Sequence, residues 1–386
     1  MRICHIITRL IIGGAQENTI LTCEGLTRLG HDVILMAGPE TGREGSLWPR
    51  AEQSEYALER ITSMRRGVNP WHDWRCRREL TRRLRDLRPD IVHTHSSKAG
   101  VLGRLAARDA GVPMIFHTIH GMSFNRTQPA PVYMLYRALE RYCASFTDRI
   151  LCVADAMTDQ AVAAGIAPRE KFATVYSGME TEAYRPELYD RAAVRAEWNV
   201  EPDHVVVGTV ARLFRNKGYE QLIAATRIAA AGNASLRFVW VGDGDQRPEY
   251  ESMLRDAGLT DRVILTGLVP PTDVPRLLSG MDLLVHASQW EGLPRVLVQA
   301  LLMQVPVISF DNDGAPEVVI PGETGALAPF NDITALAEAI TTLAENAEQR
   351  TQYGHTGREQ CLKRFDHTRM SEQIEAEYLS ERPERV

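Results

Sequence analysis

Short apolar runs alternate along the chain with longer segments in which apolar residues recur every three or four positions. The first pattern is typical of buried strands and the second of amphipathic helices. Strands that alternate with helices favour parallel sheets built from right-handed crossover units. The predicted strands are 3–7, 32–36, 91–94, 114–118 and 150–153, followed by 205–210, 236–241, 263–266, 283–286 and 305–310. The pattern therefore predicts an α/β protein with two doubly wound sheets.

A segment with few aliphatic residues separates the two sets of strands. Residues 176–203 are rich in proline, glutamate and tyrosine, which is typical of an interdomain connection. A chain of 386 residues also exceeds the size at which single hydrophobic cores stop growing. We therefore expect one domain over residues 1–178 and a second over 179–365, with a cleft between them, and a charged helix over 366–386.

The segment 286–325 contains the most informative predicted helix start. Pro294 suits the first helical position, where its missing N–H costs nothing, and apolar residues follow it at helical spacing. The unpaired N–H groups of a first helical turn bind anions. We therefore expect a phosphate group to approach the helix from Glu291, Gly292 and Leu293.

Two polar residues flank this predicted anion site. Gln299 lies about one helical turn further on, roughly 5–6 Å away, which is close to a phosphate-to-ribose distance. The carboxylate of Glu291 would repel a phosphate and is better suited to accept hydrogen bonds from sugar hydroxyls. The order sugar, diphosphate, ribose predicts a nucleotide-sugar site. The alternative for Gln299 is a helix residue that faces solvent.

These residues resemble the GT-B glycosyltransferases of family 4, whose signature is two glutamates eight positions apart around a turn such as EGLP. Glu291 matches the first glutamate, and Gln299 stands where the second, the ribose contact, is expected. The resemblance covers nearly the whole chain and implies the GT-B fold, two Rossmann-like domains with a cleft between them and a last helix that crosses back onto the first. It also implies sugar transfer from a nucleotide donor with retention of configuration, Glu291 being catalytic, and with no metal or other cofactor.

The resemblance also bears on the donor and the acceptor. The donor is expected to be UDP-linked, and the acceptor a saccharide or a lipid-linked sugar. The segments SSKAG and TIHG are similar to those of bacterial capsule and exopolysaccharide transferases, which implies a role in polysaccharide synthesis. The alternatives are a nucleotide-sugar epimerase or hydrolase of the same fold, or a nucleotide-sugar-binding protein with little catalysis.

Two loops that follow predicted strands carry further candidates. Arg212 and Lys217 precede a predicted helix, where two cations can neutralise a departing nucleoside diphosphate. A solvated basic loop is the alternative, but similarity to the family segment RLxxxKG favours phosphate contact. Gly13 and Gly14 follow the first strand, where a glycine pair is usually a tight turn. Similarity to a GGAQ-like turn of the family implies substrate approach, with Gly14 near the donor and Gly13 on the acceptor side.

Histidines cluster near the ends of two predicted strands. The resemblance places His120 over the donor sugar, where it would orient a hydroxyl and act as a catalytic residue. His93 and His95 share one face of a strand end, a spacing found in metal sites, but the sequence shows no third ligand. We therefore interpret them as facing the cleft, with His95, Ser97 and Lys98 on the acceptor side.

Two Asp-x-Asp triplets begin at Asp243 and Asp311, and such triplets hold a divalent cation in another glycosyltransferase superfamily. Aspartate and glycine also form turns at strand ends. Because Arg212 and Lys217 would make a metal redundant, we interpret both triplets as turns. Glu317 remains a further candidate for donor contact.

Composition and charge narrow the partners and the compartment. A net charge of -6 is not typical of a nucleic-acid-binding protein. Six scattered cysteines without a CxxC pair indicate reduced thiols and a cytoplasmic protein. The segment 71–88 is predicted to be a helix with a solvated basic face; its arginines are Arg75, Arg77, Arg78, Arg82, Arg83, Arg85 and Arg88. The alternative is peripheral contact of this face with an anionic membrane.

Overall fold

A computed structural model of the protein describes residues 1–39, 45–125 and 128–381. The chain forms two compact units: the first contains Met1–Met179 and the segment from His367 onward, and the second is Glu180–Asp366. Each unit contains a parallel sheet with helices packed against it. The predicted α/β architecture with two doubly wound sheets is therefore confirmed.

The first unit contains a seven-stranded parallel sheet. Its strands are β1 (Arg2–Ile7), β2 (Asp32–Ala37), β3 (Ala57–Arg60), β4 (Ile91–His95), β5 (Met114–Ile119), β6 (Arg149–Cys152) and β7 (Phe172–Thr174). Their order is β3-β2-β1-β4-β5-β6-β7. The order reverses between β1 and β4, and in doubly wound sheets ligands bind beyond the carboxyl ends of the strands at such a point.

The helices of the first unit cover both faces of its sheet. Those before residue 180 are α1 (Gly14–Arg28), α2 (Trp48–Glu52), α3 (Pro70–Leu87), α4 (Ser97–Ala110), α5 (Ala130–Ala144) and α6 (Asp155–Ala163). Side chains of β1 alternate between the faces, so that Ile3 and Ile7 join one buried apolar cluster and Cys4 and Ile6 join another.

The second unit has a similar architecture, with a six-stranded parallel sheet of order β10-β9-β8-β11-β12-β13. Its strands are β8 (Val205–Val210), β9 (Leu236–Val241), β10 (Val263–Gly267), β11 (Leu283–His286), β12 (Val307–Phe310) and β13 (Gly325–Ala328). Its helices are α7 (Arg191–Glu197), α8 (Tyr219–Gly232), α9 (Arg247–Asp256), α10 (Val274–Ser279), α11 (Arg295–Leu302), α12 (Ile333–Glu345) and α13 (Ala347–Arg364). The chain order reverses here between β8 and β11.

Three strands, β3, β7 and β13, were not predicted, and each lies at the edge of a sheet. An edge strand pairs with one neighbour and needs a weaker apolar pattern than a central strand. In β3 none of the four residues is buried, and β7 has three residues. The remaining predicted strands are present with ends that differ by up to two residues.

The segment 176–203, predicted to be the interdomain connection, contains the boundary between the units and also a helix that the sequence pattern did not predict. The units divide between Met179 and Glu180, and α7 lies within this segment. Arg191 and Arg195 of α7 form ion pairs of 2.6 Å and 3.0 Å with Asp282, beside the start of β11. Because α7 is bound by charge rather than by a long apolar stripe, the hydrophobic pattern did not reveal it.

The last helix, α14 (His367–Ser380), belongs to the first unit and packs against α1. A Cβ atom at Gly25 of α1 would lie 1.9 Å from Oγ of Ser371, so glycine allows this close approach. Tyr378 of α14 reaches the sheet, where its hydroxyl lies 2.5 Å from Nδ1 of His93. Among the described helices, none is both long and apolar enough to cross a bilayer.

Candidate functional site

The loop after β8 is pressed against the end of β11. Gly218 has a φ of +72°, and a Cβ atom there would lie 1.8 Å from the carbonyl oxygen of Ala287. Only glycine combines this backbone conformation with so close an approach. The contact places the preceding residue, Lys217, beside the loop that follows β11.

Lys217 and Glu291 form an ion pair across these two loops. Their side chains are 15% and 24% exposed, and Nε2 of His286 lies 3.5 Å from the same carboxylate oxygen. Burial raises the pKa of Glu291, but the charge of Lys217 and the contact with His286 outweigh burial and hold that pKa well below its usual value. Glu291 is therefore an ionised carboxylate next to a cation.

The turn after β12 fixes the loop that carries Glu291. The backbone N–H of Glu291 donates to Oδ2 of Asp313 over 2.7 Å, and the N–H of Gly314 donates to the carbonyl of Gly292 over 3.1 Å. Asn312 donates through Nδ2 to the carbonyl of Ser288 over 3.2 Å. The triplet that begins at Asp311 thus forms a turn that holds the Glu291 loop in place.

The other triplet, which begins at Asp243, also lies in a turn. Oδ1 of Asp243 accepts a hydrogen bond of 2.8 Å from the backbone N–H of Gly244, and Oδ2 lies 3.7 Å from the guanidinium of Arg247. These contacts use carboxylate oxygens that a cation would need. Glu317 is half-buried in a single helical turn that follows β12.

Helix α11 begins at Arg295, one residue later than predicted, because Pro294 has a ψ of 92° and is not helical. Pro294 provides no side-chain cap at this helix start, and the first N–H groups of a helix are the groups that bind anions. Arg295 and Gln299 are half-buried on the same face, whereas Gly292 and Leu293 are buried. This arrangement suits a phosphate group at the helix start, with Gln299 one turn away.

Arg212 lies in the same loop as Lys217, near the end of β8. Its side chain is exposed, and its guanidinium carbon lies 4.7 Å from the ring centroid of Phe214. Of the predicted donor residues, Lys217 and Glu291 are therefore in direct contact. Arg212 lies in the loop that carries Lys217.

The first unit has a cavity of about 230 Å³ at the carboxyl edge of its sheet. Its polar lining consists of Ser96, Ser97, His117, Thr118, His120, Ser123 and Glu140. The predicted residues Ser97 and His120 therefore share this cavity. Gly13 precedes α1 and Gly14 begins it, and the next residue, Ala15, lines the cavity.

The prediction that His93 and His95 face a cleft was wrong, because both are buried at 0% and 1% exposure. His93 bonds Tyr378 through Nδ1 and the hydroxyl of Thr118 through Nε2 over 2.7 Å. Nδ1 of His95 lies 3.0 Å from Nε2 of His120, so His95 contacts the cavity through another residue. A third histidine, His5, lies beside them on β1, where the sequence indicated no third ligand.

Lys98 was predicted on the acceptor side, but the structure holds it against α3. Its ammonium group forms a 2.6 Å ion pair with Asp73 and a hydrogen bond with the carbonyl of Gly67. The side chain is 14% exposed. Lys98 therefore fixes the start of α3 and does not line the cavity.

Glu140, a buried carboxylate in the cavity wall, was not among the residues predicted from the sequence. Oε2 of Glu140 binds the fully buried guanidinium of Arg104 over 2.6 Å, and Oε1 accepts from the hydroxyl of Ser123 over 3.2 Å. Glu140 shares the buried face of α5 with Cys143 and Ala144. A carboxylate among apolar positions of a helix requires a partner or a ligand, and that signal was present in the sequence.

Two family models match the chain. The model described as Glycosyltransferase Family 4 matches residues 12–183, and the model described as Glycosyl transferases group 1 matches residues 190–360. The predicted donor residues Arg212, Lys217, Glu291 and Gln299 all lie in the second range.

Two relatives and one solved structure extend this result. The UDP-Gal:alpha-D-GlcNAc-diphosphoundecaprenol alpha-1,3-galactosyltransferase of Escherichia coli is 27% identical over 352 residues, which are 90% of this chain and 88% of that protein. The putative glycosyltransferase EpsD of Bacillus subtilis (strain 168) is 29% identical over 303 residues, 77% of this chain and 78% of that protein. The structure of HepE of Anabaena in complex with UDP-glucose has a TM-score of 0.83 at 23% identity and covers 98% of this chain and 99% of its own, which shows the fold. Since the two family models together span most of the chain, the protein belongs to family 4 of the GT-B glycosyltransferases.

Proposed function

We propose that this glycosyltransferase takes a sugar from a UDP-linked donor and attaches it to a saccharide carried on a lipid diphosphate. The observation that carries the proposal is the Lys217–Glu291 pair beside the start of α11. A diphosphate requires cations and N–H donors, whereas a neutral sugar requires a hydrogen-bond acceptor. The second unit presents both kinds of group side by side.

Each residue of the pair has a separate task in this proposal. Lys217 and Arg212 neutralise the charge that develops on the departing nucleoside diphosphate. Glu291 accepts hydrogen bonds from sugar hydroxyls, and its low pKa keeps it ionised for that task. Gln299 donates and accepts hydrogen bonds with the ribose through its amide, without the charge that a glutamate would add.

Metal independence forms part of the proposal. The task that a divalent cation performs on a diphosphate is assigned to Lys217, Arg212 and the N–H groups of α11. The contacts of Asp243 with Gly244 and Arg247, and of Asp313 with Glu291, support this assignment. Activity in the presence of EDTA tests it.

The cavity of the first unit is the proposed site for the acceptor sugar. His120, which lines this cavity, is proposed to orient a hydroxyl of the donor sugar. The hydroxyl and carboxylate groups of the cavity suit a polyol, since Ser97, Ser123 and Glu140 offer donors and acceptors. The Escherichia coli relative is named for an acceptor sugar on diphosphoundecaprenol, which supports a lipid-linked acceptor here.

A lipid-linked acceptor implies contact with a membrane, and the start of α3 offers a suitable surface. Trp71 and Trp74 are 63% and 46% exposed, and their rings stack 5.1 Å apart. Val68 beside them is 76% exposed. Exposed tryptophans next to basic residues are typical of proteins that lie on an anionic membrane surface.

Two arginines of α3 are held in ion pairs, whereas those near the tryptophans are exposed. Arg77 pairs with Asp109 over 2.6 Å and Arg83 with Glu59 over 3.0 Å, so these two arginines stabilise the first unit. The exposed ones near the tryptophans are Arg65, Arg66, Arg75 and Arg78. We therefore assign membrane contact to the start of α3 and the loop before it, rather than to the whole helix, and a location at the cytoplasmic face of the membrane.

Sedimentation with lipid vesicles tests this surface. The variant Trp71→Ala/Trp74→Ala should bind vesicles that contain anionic lipid at least about tenfold more weakly than the unmodified protein. Leu268→Ala, which removes an apolar side chain that is 55% exposed in the second unit, is the control and should bind normally. If both variants bind the vesicles equally well, the start of α3 is not the surface that contacts the membrane.

An enzymatic assay tests the transfer reaction. The protein is incubated with a panel of UDP-sugars and GlcNAc-diphosphoundecaprenol in EDTA, and the product linkage is determined by NMR. The proposal predicts one preferred donor and a product with the anomeric configuration of that donor. Inversion of configuration would contradict retention, and donor turnover without an acceptor product would favour the epimerase or hydrolase alternative.

A further inference from the structure

A row of three histidines joins the interior of the first sheet to the cavity. Nδ1 of His5 lies 2.9 Å from Nε2 of His95, and Nδ1 of His95 lies 3.0 Å from Nε2 of His120. These are hydrogen-bond distances between ring nitrogens, so each gap holds one proton. His5 and His95 are 0% and 1% exposed, whereas His120 lines the cavity.

Burial keeps the two interior rings neutral. It lowers the pKa of His5 to about 3 and that of His95 well below its usual value, and the neighbouring imidazoles lower the pKa of His95 further. A neutral imidazole carries one N–H and one bare nitrogen. Each ring in the interior can therefore donate one hydrogen bond and accept one.

The spacing of the nitrogens couples the tautomers of the three rings. If His95 carries its proton on Nδ1, it donates to His120 and must accept from Nδ1 of His5. If His95 carries its proton on Nε2, it donates to His5 and must accept from Nε2 of His120. In either case the two hydrogen bonds require His5, His95 and His120 to adopt the same tautomer.

A metal site is the competing explanation, since ring nitrogens of His5, His93 and His95 lie within 4.8 Å of one another. However, both nitrogens of His95 already take part in hydrogen bonds to other rings. Both nitrogens of His93 bond hydroxyl groups, those of Tyr378 and Thr118. A metal would have to displace at least one hydrogen bond at each of these residues, so the geometry favours the hydrogen-bonded row.

We propose that His5 and His95 are positioning residues that fix the tautomer and the ring orientation of His120 at the cavity. The row determines whether Nδ1 of His120 is a donor or an acceptor toward a sugar hydroxyl. The effect on catalysis rests on the proposed function, whereas the shared tautomer is a property of the protein alone. The two can therefore be tested separately.

The shared tautomer is tested by ¹⁵N NMR of protein labelled at histidine, without any substrate. Single substitutions at His5, His95 and His120 assign the signals. The row predicts the same neutral tautomer for all three rings at about pH 7.5. Different tautomers within the row would overturn the proposal even if the transfer reaction is established.

Substitutions of His95 test its effect on His120. His95→Phe keeps the ring volume but removes both hydrogen bonds, whereas His95→Asn keeps a side chain that can bond His120. We expect His95→Phe to lose the fixed tautomer of His120 and to lower kcat by about 10- to 100-fold, with KM changed by less than about threefold. His95→Asn should keep most of the kcat that His95→Phe loses.

His93→Phe is the matched control, because His93 is as buried as His95 and its ring lies 4.5 Å from that of His95. It should lower stability by a similar amount but leave the tautomer of His120 and kcat close to those of the unmodified protein. An equal loss of kcat in His93→Phe and His95→Phe would mean that the row acts only through packing. Elemental analysis completes the test, since one equivalent of metal per chain that disappears in His95→Phe would establish a metal site instead.

Discussion

Lys217 and Glu291 form an ion pair that joins the loop after β8 to the loop before α11. The residues are 74 positions apart in the sequence and meet because β8 and β11 are neighbours in the sheet. The pair keeps a cation and a carboxylate at fixed positions near the start of α11. A bound diphosphate would share the charge of Lys217 with Glu291.

Lys217→Met should impair the reaction much more than it impairs the fold. The substitution removes the proposed charge on the diphosphate, so kcat/KM should fall by about 10²- to 10³-fold. Glu291 then lacks its partner, but it is partly exposed, so stability should fall by no more than about 2 kcal/mol. Steady-state kinetics and urea denaturation measure the two effects.

Arg215→Met is the matched control for Lys217→Met. Arg215 lies in the same loop, but its side chain is 76% exposed and faces Glu249. We expect kcat/KM within about twofold of the unmodified protein, because an exposed ion pair contributes little. Similar losses in both variants would argue that the loop attracts the donor by general charge and not through Lys217.

Gln299→Glu tests the ribose contact. If the side chain bonds ribose hydroxyls, a carboxylate should bond them more strongly, and the Kd for UDP should fall by up to about tenfold. Gln373→Glu, at a half-buried position of α14 in the first unit, should leave the Kd unchanged. No change, or weaker binding, in Gln299→Glu would support a site adapted to glutamine or a residue that faces solvent.

Gly218→Ala should destabilise the second unit. Alanine at a φ of +72° is strained, and its Cβ atom would lie 1.8 Å from the carbonyl oxygen of Ala287. A loss of about 2–4 kcal/mol is expected in urea denaturation. Gly232→Ala at the end of α8 meets no atom within 4 Å and should be neutral or slightly stabilising. Equal changes in stability for Gly218→Ala and Gly232→Ala would contradict the close contact between Gly218 and the carbonyl oxygen of Ala287.

The stability of the first unit should fall as the pH is lowered through about 6.5. Burial lowers the pKa of four of its histidines, His5, His93, His95 and His117, so the folded state keeps them neutral while the unfolded state takes up protons. Each contributes up to about 1.4 kcal/mol of loss per pH unit below about 6.5. The pKa of Glu291 is lowered instead, so its contribution to stability is lost only below the pH at which an unfolded glutamate titrates.

Urea denaturation at about pH 7.5 and 5.5 measures this dependence, with an expected loss on the order of 5 kcal/mol for the four histidines. His93→Phe should reduce the slope, because one titrating group is removed. Midpoints that do not move between these pH values would contradict the burial of neutral imidazoles.

The sequence predicted the central strands well because they are continuous apolar runs that alternate with amphipathic helices. It predicted β3, β7 and β13 poorly, since edge strands share their pattern with loops. The candidate site residues also differ in this respect: their positions along the chain could be predicted, but their contact partners could not. Glu291, Lys217 and His120 follow predicted strands, where ligand-binding residues of doubly wound sheets are expected. Glu291 and Lys217 were predicted from helix starts, and all three residues from the family resemblance.

The partners of these residues depend on which strands are neighbours, and the hydrophobic pattern does not reveal strand order. His5 and His93 are directly opposite because β1 pairs with β4, although the two residues are far apart in the sequence. Lys98 contacts Asp73 because α3 and α4 pack together. The histidine row and the Lys217–Glu291 pair therefore required the fold.

The most direct test of the nucleotide-sugar site is calorimetric titration of the protein with UDP and UDP-sugars in EDTA, repeated with Lys217→Met. The proposed site predicts saturable binding of one nucleotide per chain, weakened at least about tenfold by the substitution. Heat from UDP binding that is identical in the two proteins, or that appears only after a divalent metal is added, would contradict it.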